Sequence, residues 1–171
     1  SQSPPLLFDL TSLQREANNK FGFSAKNTVG LAQALYDRHK LITYPRTDSK
    51  FLPEDYVGTV KETISSLQSL PNYQKHCSEA LGLNLFSDKH KVFNDKKVSD
   101  HFAIIPTGII NKKLSEPELK LFDLIVKRFL GMFFPPAKYL NTKRITTIEN
   151  YAFKTEGKVL VEPGWQKLYI D

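Results

Sequence analysis

Apolar residues recur at helical spacing along much of this chain, and the polar residues between them mark where each helix starts and stops. Leu13, Ala17 and Phe21 fall at four-residue steps, which places them on one face of a helix. Thr11-Ser12-Leu13-Gln14 has capping-box spacing: the Thr11 hydroxyl and the Gln14 side chain can each satisfy a free backbone donor, and Gly22 is placed to end the helix. Ser24 is the expected cap of a second helix whose inner stripe is Val29, Ala32, Leu35 and Tyr36. Arg38, His39 and Lys40 then complement the negative end of its dipole. Two short helices joined at Gly22-Phe23 form a pair of the kind that opens a helix-turn-helix, though a packed helical hairpin is the commoner outcome of such a pattern.

Farther along, Pro53 suits the start of a third helix with Val57, Val60, Ile64 and Leu67 inward, and another helix is expected around Tyr73 to Leu81. Ser115-Glu116-Pro117-Glu118 combines capping-box spacing with an early proline, and predicts a long helix through Leu121, Ile125, Phe129 and Phe133, stopped by Pro135-Pro136. Between the helices, Leu41-Ile42-Thr43-Tyr44 reads as extended, with Pro45 and the turn-forming Thr47-Asp48-Ser49 after it. The polar, basic run from Lys89 to Lys97 reads as an exposed loop, and Phe102-Ala103-Ile104-Ile105 as a buried run. Beyond the double proline, Leu140 to Glu149 and Ala152 to Val161 flank Asn150-Tyr151 and suggest paired strands. The expected fold class is mainly α (α+β), with a helical domain over 1–137 and a β-strand segment over 138–171.

Charge adds a direction to this picture. Twenty-four Lys and Arg stand against 18 Asp and Glu, a formal charge of +6 with a pI near 9.3, which favours a polyanionic partner. A lone Cys77 excludes an internal disulfide, and with His39, His76, His90 and His101 it makes no structural zinc spacing. With no apolar run of membrane-spanning length and no signal-peptide pattern, the expectation is a soluble, cytoplasmic protein. The chain opens Ser1-Gln2-Ser3 and its one methionine is Met132, so it is expected to be a fragment or a processed product.

The stretch richest in chemistry is Tyr44-Pro45-Arg46-Thr47-Asp48-Ser49. Proline keeps the preceding residue out of the helical region, so Tyr44 should be extended. Side chains two apart on an extended chain share a face, so Tyr44 and Arg46 can address one target, with Asp48 placed to orient the guanidinium. A phenol has a reference pKa of about 10 and attacks poorly while protonated. A neighbouring positive charge favours the phenolate, and the same guanidinium can hold phosphate oxygens through paired hydrogen bonds. On chemistry alone, an edge tyrosine beside a surface arginine fits these residues as well.

Three blocks shift that balance. Thr11-Ser12-Leu13-Gln14-Arg15-Glu16-Ala17 with Gly22-Phe23-Ser24-Ala25-Lys26, then Leu-Ile-Thr ahead of Tyr-Pro-Arg-Thr-Asp-Ser at 44–49, then His101-Phe102-Ala103-Ile104-Ile105-Pro106-Thr107 resemble, in order, the active-site region of type IA DNA topoisomerases. Ile104-Ile105-Pro106 is similar to the topoisomerase III branch. The resemblance implies that Tyr44 is a nucleophile that becomes joined to a DNA 5′ phosphate. It also implies that Arg46 holds the scissile phosphate, that His101 assists tyrosine and phosphate, and that Asp48 supports the arginine. Thr47, Ser49, Lys26, Lys89 and Lys91, with Lys96 and Lys97, are candidate DNA contacts, although for each lysine a solvated basic face is the safer reading.

The resemblance further implies a helical domain of the catabolite-activator-like, helix-turn-helix type. It is inserted into a gate or arch domain to which both ends of the chain belong, so the ends should lie near each other. The family's magnesium is bound by an acidic domain with an Asp-x-Asp-x-Glu cluster. No Asp-x-Asp occurs here, so no metal site is expected in this chain, and the chain alone is expected to be inactive. A phosphate-cradling Gly-x-x-x-x-Gly-Lys is also absent, and transesterification requires no nucleotide fuel because the phosphotyrosine conserves the bond. The implied partners are DNA, chiefly single-stranded, and the remaining domains of the same polypeptide. Two other readings predict different things. A tyrosine recombinase would carry His-x-x-Arg, whereas His101 is followed three residues on by Ile104. A non-enzymatic winged-helix DNA-binding module would bind without forming a covalent adduct.

Overall fold

The computed structural model describes residues 1–110, 113–141 and 158–170. Within them the chain is mainly helical with one two-stranded antiparallel sheet, an α+β arrangement. The helices are α1 (Leu10–Phe21), α2 (Ala25–Asp37), α3 (Val57–Leu67), α4 (Gln74–Leu83) and α5 (Glu116–Gly131); the strands are β1 (Lys138–Asn141) and β2 (Lys158–Glu162). No helix among the described residues is long and apolar enough to cross a membrane.

Helix α1 begins two residues earlier than its Thr11-based capping box implies. Asp9 is the cap: its carboxylate accepts from Ser12 N at 2.8 Å, and Ser12 Oγ accepts from Asp9 N at 3.1 Å. A carboxylate is at least as good a cap as a hydroxyl and adds negative charge at the positive helix end, so the earlier box prevails. Gln14, freed from capping, donates instead to Ala25 O at the head of α2. Gly22 ends α1 in the left-handed region, φ 72, and Ser24 caps α2 by accepting from Asn27 N. Leu13, Ala17, Ala32 and Leu35 are fully buried where the two helices meet.

Helix α5 is the spine of the fold. Ser115 and Glu118 form its expected capping box. Leu121, Phe122, Leu124, Ile125, Val126, Phe129 and Leu130 bury most of its circumference, as befits a helix covered on several sides by α1, α2 and α4. The helix ends at Gly131, so Phe133 sits just beyond it, at the centre of an aromatic cluster with Phe86, His90, Phe93 and Phe129 at 5.0–6.2 Å between ring centroids. Full burial of such a ring contributes about 1.5–3 kcal/mol. Burial also pushes the Cys77 thiol up to about 12, leaving it an inert packing group.

The basic run 89–97 departs from its expected character as a solvated loop. Val92 and Phe93 are buried, and Phe93 pairs with Leu52 through an isolated parallel bridge. His90 anchors the run: its Nε2 donates to Met132 O at 3.0 Å while its Nδ1 accepts from Val92 N at 3.1 Å. Both ring nitrogens are thus used by the neutral imidazole, and burial holds its pKa below the ordinary histidine value. Lys89, Lys91, Lys96 and Lys97 remain exposed, as expected.

The proposed strand pair is present at its outer ends: Tyr139 faces Leu160 and Leu140 faces Val159 across an antiparallel register. Its inner part, including Asn150-Tyr151, lies outside the described residues. The two ends of the chain meet, as expected. Gln2 pairs with Ala137, and Trp165 Nε1 donates to Gln2 O at 2.9 Å. Gly164, at φ 53, lies so close to the Pro135 and Pro136 carbonyls that a Cβ there would collide with both.

Candidate active site

Two segments about sixty residues apart in sequence are held together by a short antiparallel pairing. Ile42 pairs with Pro106, Thr43 N donates to Ile105 O at 2.9 Å, and Thr107 N donates to Leu41 O at 3.0 Å. These bonds come from residues flanking Pro106, so its missing N–H leaves no gap in the ladder. On the other side, Ile104 N donates to Phe8 O and Ala103 N to Phe51 O. The 103–107 segment is therefore clamped between the N-terminal segment and the tyrosine loop.

Thr43 reinforces the clamp with its side chain. Its hydroxyl donates to Ala103 O and accepts from Ile105 N, both at 2.9 Å. Thr43→Val keeps the shape and removes both bonds, leaving a part-buried carbonyl and N–H without partners. It is expected to destabilise the fold by about 1–3 kcal/mol in denaturant melts, with Thr43→Ser retaining most of the stability. Equal stability of the valine variant and the parent protein would show that the hydroxyl is dispensable. The approach to this segment is set by α2, whose end turns through Lys40 at φ 60 while Leu41 N reaches back to Leu35 O. A left-handed lysine costs about 1 kcal/mol, and the sequence pattern offers no glycine to announce it.

The pairing brings Tyr44 and His101 together. Their ring centroids lie 4.2 Å apart at an interplanar angle of 31°, with the Tyr36 ring edge-on to Tyr44 at 5.4 Å. Tyr44 is half-buried and His101 exposed. The chain bends at Thr43, Pro45 and Arg46 rather than running straight. Burial nonetheless alternates after the tyrosine: Pro45, Thr47 and Ser49 are buried, and Arg46 and Asp48 are exposed. Arg46 is thus offered to solvent two residues from the half-buried phenol. The expected support of Arg46 by Asp48 is not formed: among the described residues no ion pair joins them, and both project into water.

Thr47 and Ser49, expected to face DNA, serve the chain instead. Thr47 Oγ1 accepts from Ser49 N, Thr47 O accepts from Leu10 N at the start of α1, and Ser49 Oγ donates to Lys97 O at 2.7 Å. Small hydroxyls in a tight turn satisfy nearby backbone groups more readily than distant ligands. Lys26 is exposed in the first turn of α2, and Lys89 and Lys91 are exposed on the 89–97 loop; none of the three is ion-paired among the described residues. Tyr36 and Thr43 are the site residues that pattern reasoning missed. Tyr36 looked like one more apolar position on α2, and Thr43 like a β-branched residue in a short strand.

Three other tyrosines are held as neutral phenols. Tyr73 is buried, and burial together with its 2.7 Å hydrogen bond to Asp123 drives its pKa upward; burial also raises Tyr56 and Tyr169. Glu118, whose pKa is pulled down by the Ser115 backbone N–H and by His39 at 3.3 Å, ties α5 to the end of α2. Among the described residues no group of three or more His, Cys, Asp or Glu side chains is arranged to hold a metal ion.

The family model for DNA topoisomerase matches residues 1–171. DNA topoisomerase 3 of Bacillus licheniformis is 47% identical over 167 residues, covering 96% of this chain and 23% of that protein. The Bacillus subtilis protein of the same name is 46% identical with the same coverage. Full-length topoisomerase I from Thermotoga maritima superposes with a TM-score of 0.61 at 27% identity, covering 98% of this chain and 27% of that one. The chain thus spans less than a quarter of the length of these DNA topoisomerase 3 relatives.

Proposed function

The chain belongs to the type IA DNA topoisomerases, and from that premise we propose that it is the tyrosine-bearing part of an ATP-independent enzyme that transiently breaks and rejoins one DNA strand. The observation that carries this reading is the Tyr44–His101 stack, built from two separate motifs by one backbone pairing. Tyr44 Oη attacks the scissile phosphorus. A Tyr–O–P bond to the 5′ phosphate forms, the P–O3′ bond breaks, and the proton given up by the phenol is balanced by one taken up at the leaving 3′ oxygen. Religation is the reverse, with the 3′ hydroxyl as nucleophile, so no high-energy cofactor is consumed. Arg46 holds the nonbridging oxygens and stabilises their developing charge. His101 fixes the orientation of the phenol by stacking and presents a ring nitrogen near the phosphate.

In this proposal residues 1–137 form the helical tyrosine domain and 138–171 return to a gate domain. Magnesium is held by an acidic domain outside this chain, and no step above is routed through it. Exposed Lys26, Lys89 and Lys91 are available to contact single-stranded DNA, and the enzyme works in the cytoplasm. The winged-helix alternative is not favoured, because the relatives carry the names of topoisomerases. Strand polarity tests the reading. With the complete protein and a single-stranded oligonucleotide, label at the 3′ end should stay with the denatured protein, while label at the 5′ end should leave on a fragment ending in a 3′ hydroxyl. The opposite partition would overturn the proposed polarity.

A further inference from the structure

A second cluster of charge lies where the tyrosine loop runs on to Lys50. Lys50, next to Ser49, lines a cavity of about 290 Å³ together with Arg15 of α1 and Arg128 of α5, with Glu16 as its one carboxylate. Among the described residues none of the three cations is in an ion pair. Three positive groups converging on one hollow around a single carboxylate repel one another, and an anion seated among them relieves that repulsion. Arg128 is pre-positioned for this: its guanidinium stacks on Phe8 at 4.0 Å and donates to Leu6 O at 2.9 Å, while its Nε is buried without a partner. The hollow is coupled to the tyrosine loop because Leu10 N, at the start of α1, is bonded to Thr47 O. Lys50 lies six positions after Tyr44, so a chain distance of at most about 20 Å joins the two places.

We infer that the Arg15–Lys50–Arg128 hollow is a phosphate subsite, which grips the DNA backbone a few nucleotides from the bond being cut. It fits a phosphodiester because the donors converge from three elements into a concave, net positive pocket, whereas a lone surface lysine offers only a point charge. This inference rests on the DNA reading above and adds a location to it. The subsite supplies affinity and register, with the chemistry left to Tyr44 and Arg46.

The test is the salt dependence of single-stranded oligonucleotide binding by the complete protein. Each phosphate contact contributes about 0.7 to the slope of log affinity against log salt. Arg15→Gln with Lys50→Gln, which empties this one subsite, should therefore flatten the slope by about 0.7. Lys50→Gln alone should account for about half of that. Lys75→Gln, which removes the same single charge as Lys50→Gln from an exposed position on α4, should leave the slope of the parent protein. An unchanged slope in the double variant would overturn the subsite, and so would an equal flattening in Lys75→Gln, which would make the effect one of diffuse charge. Thermal melts of each variant confirm that folded protein is compared. Covalent adduct formation by the unsubstituted protein is measured in parallel: its absence would count against the proposed reaction, while the slopes would still judge the subsite.

Discussion

Tyr44→Phe in the complete protein is expected to abolish covalent protein–DNA adducts while leaving fold and DNA affinity close to those of the parent. Phenylalanine keeps the ring that stacks on His101 at 4.2 Å and meets the edge of Tyr36 at 5.4 Å. Among the described residues no hydrogen bond of the fold depends on the Tyr44 hydroxyl, so its removal exposes no unpaired group. What disappears is the attacking oxygen. Deleting a nucleophile in an assembled active site costs on the order of 10⁶-fold in turnover, which places the variant below detection in a gel assay. End-labelled single-stranded DNA on a denaturing gel reads the result, and an undiminished adduct in the variant would refute the assignment. Tyr36→Phe is the matched control, because it removes a hydroxyl from the adjacent ring and leaves the nucleophile in place.

Arg46→Ala should give the second-largest loss. The guanidinium is exposed and is bound to no carboxylate among the described residues, so none of these neutralises it before DNA arrives. Loss of one preorganised donor to a transition-state oxygen typically costs about 10²–10³-fold in rate. The cleavage rate at saturating DNA should fall by that factor with the melting temperature unchanged, since an exposed side chain without partners contributes little to stability. Arg46→Lys should recover only part of the rate, because an ammonium supplies charge without the planar fork that engages two oxygens. A cleavage rate within twofold of the parent in Arg46→Ala would remove Arg46 from the reaction.

Local signals in the sequence were read well where the physics is local. Ser115 and Glu118 cap α5 as their spacing implies, and Gly22 takes the left-handed turn that a helix end favours. Overlapping signals were harder. Asp9 and Thr11 both look like caps, and the choice falls to Asp9 in a fold where Leu10 N is met by Thr47 O, a partner 37 residues away. The lysines that dominate the 89–97 run are exposed as its composition implies, whereas the parts that matter to the core are Val92, Phe93 and His90, which meet Phe133 and Met132 some forty residues later. Polarity alone likewise does not announce the partners of Thr47 and Ser49: the Thr47 hydroxyl accepts from Ser49 N in the turn, and the Ser49 hydroxyl donates to Lys97 O, 48 residues on.

The candidate site divides along similar lines. Tyr44, Arg46 and His101 could be picked out as residues, but their juxtaposition could not come from periodicity, because it depends on Ile42 pairing with Pro106. The resemblance of ordered motifs supplied that link, and the backbone pairing gives its physical cause. Thr43 and Tyr36 had no such signal, since their roles exist only once the two segments and α2 have been brought together.

The most direct measurement is to find which atom carries the DNA. Adducts trapped by denaturing the complete protein during cleavage, then digested with trypsin and nuclease, should yield the peptide Leu41–Arg46 bearing a nucleotide through a phosphodiester on Tyr44. A nucleotide on any other tyrosine peptide, with Leu41–Arg46 recovered unmodified, would contradict the account.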